Sequence, residues 1–526
     1  MEGNIYEMLR LDNLSNSVKT PEKYISSMFH QMNIMSNYMK GLIKYSNSFL
    51  NPYLSSIKYF AEAEMRKLPY STPVDSFYSL MGLFDFTMDI TQKGLFSSYN
   101  AAYDYNKNEM NNAMEAFFNT IFSENSGEDI ESYLAKQEYI TSLLVNEFDT
   151  AIESAGEDFG FHFERNTNIK VAETDRFILY QILPTDKKIQ VKKNGKPVLI
   201  IPPFVLGANI LAFLPVENRS YAHAFANQGI PTYIRIMKDI KENLPVQLMK
   251  PEDDTNDTRI FCEKIKEKHG KLVTINGYCQ GGFTTVCNVM TGELDGLVDA
   301  IITCVSPMDG TKSEGLANFL KTIPKRYNDL NYSSKILQNG VKVADGEIMS
   351  WVYKLKAIEN EAPVTAFYRD MKMFVPRDKK QQIQNVQVNK SAAAINYWLR
   401  NERNDLPIAI TEMSFSSYNT PVTDDGTLPV KIFGRKLNFN RIKEKGLKWL
   451  ICYGESDDLV EKGAAIAPSQ YIPVELSAFP RGHVAIATSW SSPDSKCALH
   501  KVFGENNRGP VKFQLDLDKE LNKVKK

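Results

Sequence analysis

The segment with the clearest chemistry is Asn276-Gly277-Tyr278-Cys279-Gln280-Gly281-Gly282, which follows the β-type run Leu272 to Ile275 and precedes a helix-compatible stretch from Phe283. A cysteine between glycines at this spacing has the pattern of a nucleophile elbow, a sharp strand-to-helix turn, with Cys where Ser is usual. The backbone passes so close to itself in such a turn that a side chain at Gly277 or Gly281 would clash, so the glycines have a steric reason, and Gly282 extends the run. The turn also aims the backbone N–H of Gln280 at a developing oxyanion and seats the sulfur at the positive end of a helix, which favours thiolate. The expected chemistry is attack of Cys279 on an acyl carbon. Taken alone, the motif leaves open a buried cysteine that only packs.

A thiol nucleophile of this kind needs a base and an orienting acid. Where the elbow occurs, the chain order is nucleophile, acid, histidine, with the acid after a late strand and the histidine after the last one. The run Lys448 to Tyr453 leads into Gly454-Glu455-Ser456-Asp457-Asp458-Leu459-Val460, and Val474 to Ala478 leads into Arg481-Gly482-His483-Val484. Histidine is scarce, with only His30, His162, His223, His269, His483 and His500, so one in the required slot singles out His483 as base, with His500 the weaker substitute. The spacing from Gly454, with Val460 three residues on, favours Asp457 over Asp458 as the acid. A second oxyanion donor is expected from the loop Pro202-Pro203-Phe204-Val205-Leu206-Gly207, with Val205 foremost.

These residues require a sheet to hold them. Arg176 to Leu183, Val198 to Ile201, Thr232 to Ile236, Leu272 to Ile275 and Ala300 to Val305 read as strands, and Tyr221 to Gln228 and Asp257 to His269 as helices between them. Strands alternating with helices imply a mainly parallel α/β sheet, here of the α/β-hydrolase fold. From Thr311 to about Lys445 no core strand appears, and a crossover of that length must be an insertion with its own structure, expected to be a mostly helical cap. The expected division is a helical region over 1–165, the first part of the core over 166–310, the cap over 311–445, and the rest of the core with the C-terminal tail over 446–526.

Eleven of the 19 methionines precede residue 150. Ile25, Met28, Phe29, Met32, Met35, Met39 and Leu42 form one helical stripe, and Leu134, Tyr139, Leu143, Leu144 and Phe148 another. Both are expected to pack against the protein itself, with a partner, lipid or hydrophobic particle as the other use of such faces.

Composition narrows the classes. Lys and Arg total 62 against 63 Asp and Glu, a net charge of −1, which disfavours a protein that binds nucleic acid or anionic lipid by bulk charge. Hydrophobic residues at 43% and charged ones at 24% are ordinary for a globular chain of several domains. The six cysteines, Cys262, Cys279, Cys287, Cys304, Cys452 and Cys497, form no regular framework, as in a reducing compartment. The opening MEGNIYEMLR places Glu2 and Glu7 where a secretory leader would be basic, so the expected location is the cytoplasm. Pro197 to Val216 has spanning length, but Pro197, Pro202, Pro203, Asn209 and Pro215 interrupt it, and a buried strand leaving into a loop is expected instead of a transmembrane segment. No HExxH, paired cysteine or histidine cluster suggests a metal, and no Walker or GxGxxG motif a nucleotide site. Glu252, Asp253 and Asp254 read as a solvated loop, and Asp516 to Lys526 as a solvated tail or helix end.

The GYCQGG box resembles the lipase-like box of the polyhydroxyalkanoate synthases, whose nucleophile is cysteine. Pro202-Pro203-Phe204 is similar to their early PPW segment, Asn396-Tyr397-Trp398 with Asn404-Asp405-Leu406-Pro407 to their YWN…NLP cap motif, Gly454 to Val460 to the segment of their catalytic Asp, and Gly482-His483-Val484 to their GHI. The likeness runs over roughly Lys196 to Trp490. It implies that Cys279 accepts an acyl group from a 3-hydroxyacyl-CoA, that His483 is the base assisted by Asp457, and that a polyester grows by transesterification while coenzyme A leaves. It further implies acyl-CoA as substrate with no separate cofactor, and a cytoplasmic, granule-associated setting in which a polymer surface, a homodimer contact or an accessory subunit would be the partner. The chain departs from the pattern in PPFVLGANIL, in Met237-Lys238 where a Trp is typical, and in AIATSWSSPD after the histidine. Those departures bear on the substrate pocket. The other readings are a Cys-dependent thioesterase or esterase, if water reaches the acyl-enzyme, and a noncatalytic scaffold with a relic hydrolase core.

Overall fold

The computed structural model describes residues 20–67, 72–122, 127–322, 330, 333–349, 363–376 and 386–524. The expectation drawn from the first ten residues lies outside them, as do parts of the insertion. The chain forms two compact units, one from Met1–Ala155 with Trp351–Tyr397 and one from Gly156–Ser350 with Trp398–Lys526. The described residues 363–376 and 386–397 of the insertion thus belong with the N-terminal helices.

In the first unit, α1 (Thr20–Lys67), α2 (Pro73–Phe122), α3 (Ile130–Asn146) and α4 (Phe148–Ala155) are joined by the helix Pro363–Met371. Asp129 starts α3 by accepting from Ser132 N at 2.8 Å, the usual remedy for the unpaired amides of a first turn. Tyr45, Ile140, Leu144, Phe148 and Ile152 form the core with Phe367 and Tyr368. The stripe over α3 is therefore packed where it carries Leu134, Leu144 and Phe148. The stripe over α1 is not. Met28, Met32 and Met35 are 62–67% exposed, and the buried side of α1 instead carries Ser27, Gly41 and Tyr45. A spacing of three or four identifies a face without saying which face is covered, and the covered face here carries small and ring-bearing residues.

The second unit is built on an eight-stranded sheet of β1 (Ile169–Glu173), β2 (Phe177–Ile182), β3 (Val198–Ile201), β4 (Thr232–Met237), β5 (Val273–Tyr278), β6 (Val298–Cys304), β7 (Lys448–Gly454) and β8 (Glu475–Phe479). The order across the sheet is β1-β2-β4-β3-β5-β6-β7-β8, with β2 antiparallel to both neighbours and β3 to β8 parallel. This is the α/β-hydrolase fold. Every residue of β3 and β5 is buried, as expected for strands covered on both faces.

Between β4 and β5 lies α5 (Pro251–His269), and after β5 comes α6 (Gln280–Thr291), all twelve of whose residues are buried. The acidic run before residue 257 is not a solvated loop. Pro251 opens α5, Lys250 N donates to Asp253 Oδ2 at 2.9 Å, and Asp254 is fully buried, accepting from Arg235 Nη2 at 2.6 Å. A proline at the first helical position gives up no hydrogen bond, and carboxylates suit a helix start. The C-terminal segment ends a helix, Pro510–Val524, whose Leu517 is buried and whose Asp518 accepts from Lys196 N at 2.9 Å.

In this unit the insertion contains α7 (Lys390–Asn401) from Trp398 onward and α8 (Ile408–Asn419). It also carries short antiparallel strands, Ser334–Ile336 and Leu406–Pro407 on either side of Lys342–Ala344, and the hairpin Thr427–Ile432 with Arg435–Asn438. Among the described residues no helix is long and apolar enough to cross a membrane.

Candidate active site

β5 runs straight into the turn that carries Cys279, and α6 leaves from it. Cys279 has φ 51° and ψ −123°, a backbone conformation that a side chain tolerates only when its surroundings enforce it. Here they do. Cys279 N donates to Cys304 O at 2.8 Å, and Gly282 N to Cys279 O at 2.9 Å. A Cβ at Gly277 would run into Gly282 Cα, one at Gly281 into the carbonyls of Ile201 and Pro202, and one at Gly282 into the Ser306 hydroxyl. The three glycines of the elbow are therefore required by contact with backbone or a fixed neighbour.

The loops after β7 and β8 meet through their backbones, with Glu455 N donating to Phe479 O at 2.9 Å and Ser456 N to Arg481 O at 3.4 Å. That brings Asp457 Oδ2 to 2.8 Å from His483 Nδ1, with both side chains buried. The other carboxylate oxygen, Oδ1, accepts from the amides of Leu459 and Val460 at 3.0 and 2.9 Å. With three acceptances fixing its plane, Asp457 directs the Nδ1–H tautomer of His483 and leaves Nε2 available as base. Nε2 is buried and has no hydrogen-bond partner among the described residues. Burial opposes protonation of this imidazole, but the carboxylate of Asp457, and after it the sulfur of Cys279, outweigh burial and hold its pKa well above the ordinary value. Both Asp457 and Cys279 thus bear on His483, while His500 lies on the helix Leu499–Phe503.

Tyr278, within the GYCQGG box but without an assigned role in the sequence, donates its hydroxyl to His483 O at 2.7 Å and places its ring edge-on to the imidazole. A fully buried tyrosine beside Cys279 thereby ties the histidine loop to the elbow. Gln280 N, the first amide of α6, donates to no group among the described residues and so is free for an oxyanion. The N–H of Val205 is engaged at 3.4 Å by Gln280 Oε1, and Gln280 Nε2 donates to Ser414 Oγ of α8 at 2.7 Å. A side-chain carbonyl therefore accepts from the expected second donor. No sequence signal pointed to Ser414, since its role follows only from where α8 lies.

Among the described residues no group of three or more His, Cys, Asp or Glu side chains is disposed to hold a metal ion. All six cysteines are free thiols, Cys279 part-exposed and Cys262, Cys287, Cys304 and Cys452 buried.

No protein-family model matches the chain, and no curated protein matches it in sequence. Solved structures similar to it include Est1E from Butyrivibrio proteoclasticus, at 11% identity and a TM-score of 0.34 over 67% of this chain and 99% of that one. A carboxylesterase of the thaumarchaeon Nitrososphaera gargenis is similar at 12% identity and a TM-score of 0.35, over 61% and 92%. An alpha/beta fold family hydrolase from Bacillus anthracis is similar at 12% and 0.33, over 61% and 94%. The strand order of the sheet and the elbow at Cys279 define the fold.

Proposed function

We propose that the chain transfers acyl groups through a thioester on Cys279, taking them from a 3-hydroxyacyl-CoA and passing them to the hydroxyl end of a growing polyester. The observation that carries this reading is the buried Asp457–His483 pair, which leaves Nε2 unpartnered, together with a cysteine at an elbow. The resemblance of the GYCQGG box supports the choice of donor.

In this reading His483 Nε2 takes the proton of Cys279 Sγ, and the sulfur attacks the thioester carbon. The oxyanion accepts from Gln280 N–H and, after exchanging places with Gln280 Oε1, from Val205 N–H. Each such donor supplies on the order of 3 kcal/mol of transition-state stabilisation. Collapse breaks the bond to the CoA sulfur, which leaves with the proton carried on Nε2. A chain-end hydroxyl then gives its proton to His483 and attacks the acyl-Cys279 carbonyl, and the thiol is regenerated. Coenzyme A is a product, and no cofactor is needed. The exposed methionine face of α1 fits the hydrophobic granule surface that the resemblance implies, in a cytoplasmic setting. Hydrolysis is the second reading, favoured by the partial exposure of Cys279, through which water could reach the acyl-enzyme.

The test supplies purified protein with 3-hydroxybutyryl-CoA and follows free thiol release and product mass, with Cys279→Ala alongside. Polymer supports synthesis, and free 3-hydroxy acid supports hydrolysis. Thiol release undiminished in the variant overturns both.

A further inference from the structure

The Trp398 and Asn404 motif has no part in the triad, yet it meets the loop that carries Val205. Three successive carbonyls of that loop are held by one segment. Phe204 O accepts from Asn404 Nδ2 at 3.1 Å, Val205 O from Asn404 N at 3.5 Å, and Leu206 O from Trp398 Nε1 at 2.9 Å. In a trans peptide the C=O of one residue and the N–H of the next point in opposite directions. The bond from Asn404 to Phe204 O therefore fixes the direction of Val205 N–H, which points to Gln280 Oε1, on the residue that follows the nucleophile.

The segment is itself anchored on its other side. The Arg403 guanidinium donates to Leu399 O at 2.6 Å and to Glu402 O, closing the end of α7. Asn404 O lies against Gly346, where a Cβ would not fit, and Asp405 Oδ1 accepts from Gly346 N at 3.1 Å and pairs with Lys335 at 2.8 Å. Glu402 packs against Gly207, which has φ +71°, and accepts from Asn209 Nδ2 at 2.6 Å. The loop is thus held by a segment that is itself bonded on its far side.

We propose that Asn404, assisted by Trp398, is the positioning residue of the oxyanion hole: it orients the Phe204–Val205 peptide so that Val205 N–H faces the reacting carbonyl. This rests on the reading that Cys279 attacks an acyl carbon. Two reactions of the same sulfur separate the roles. Alkylation by iodoacetamide forms an S–C bond and expels iodide, with the thiol proton passing to His483, and develops no oxyanion. Acylation by p-nitrophenyl butyrate forms an acyl thioester, expels p-nitrophenolate and passes through an oxyanion.

Asn404→Ala, and Trp398→Phe, which keeps an aromatic ring but removes the Nε1–H donor, are expected to lower kcat for p-nitrophenyl butyrate by about tenfold to a hundredfold, with KM changed by less than about threefold. The alkylation rate at Cys279, read by mass, is expected to stay within about twofold of the wild type, because the thiol–imidazole pair is untouched. Unchanged acylation in Trp398→Phe and Asn404→Ala overturns the proposal. So does a parallel fall of both reactions in Trp398→Phe, which would make the contact merely structural. If the wild-type Cys279 is neither alkylated nor acylated, the reading beneath the proposal fails, before any variant is compared.

Discussion

His483 is subject to opposing influences, since burial disfavours its charged form while Asp457 and Cys279 favour it and prevail. Removing the carboxylate charge should let burial regain ground. Asp457→Asn is expected to move the titration of His483, followed by histidine NMR, down toward or below 6.5, and to reduce turnover by on the order of a thousandfold, since the amide supports the wrong tautomer. An undisplaced titration would mean that Asp457 does not govern the base. The same shift has a signature in stability. A histidine whose folded pKa lies above its unfolded one adds stability below about pH 6.5, and that contribution disappears as pH rises through the raised folded value. The Tm difference between wild type and His483→Gln should therefore be larger at pH 6 than at pH 9, and a difference that grows with pH would contradict the assignment.

At the scale of the helices, two glycines that look alike in sequence have opposite consequences. Gly41 in α1 lies against the ring of Phe367 with no room for a Cβ, whereas Gly82 in α2 has nothing within 4 Å of that position. Gly82→Ala is expected to stabilise the protein by roughly 0.5–1 kcal/mol through helix propensity alone, and Gly41→Ala to destabilise it by about 1–3 kcal/mol through overpacking. The face of α1 is tested the same way. Met32→Glu with Met35→Glu should leave stability within about 0.5 kcal/mol per site, while Leu144→Ala in α3 should cost about 2–5 kcal/mol because a buried side chain leaves a cavity. Denaturant midpoints measure all of these. A large loss from the paired glutamates would mean that the methionine face is covered.

For the molecule as a whole, acid stability is set in part by a histidine of the opposite kind. His223, on the helix Tyr221–Ala226, is buried, lies 2.8 Å from Ser220 Oγ through Nδ1, and has its pKa pushed down to about 4 by burial. The unfolded chain takes up a proton that the fold refuses, so this contribution is complete above about pH 6.5 and is lost as pH falls toward about 4, by up to about 3 kcal/mol. His223→Asn, which keeps a donor near Ser220 and removes the titration, should flatten the decline of the urea midpoint between pH 7 and 4.5. An unaltered slope would place the acid sensitivity elsewhere. By itself the sequence determined what is local. The steric demands of Gly277, Gly281 and Gly282 fall within a few residues of Cys279, and the alternation of strand and helix follows from short apolar runs, so the elbow and the sheet were legible from residue type and spacing. It also supplied Asp457 and His483 as candidates, because each follows a readable strand. Tertiary structure alone decided which side of α1 is buried, that Asp254 leaves solvent to pair with Arg235, that Tyr278 ties down the His483 loop, and that Asn404 turns the peptide bearing the Val205 N–H. Each of those outcomes depends on groups far apart in the chain meeting at hydrogen-bond or packing distance, and the direction of a side chain or a peptide plane is fixed only once its distant partner is in place.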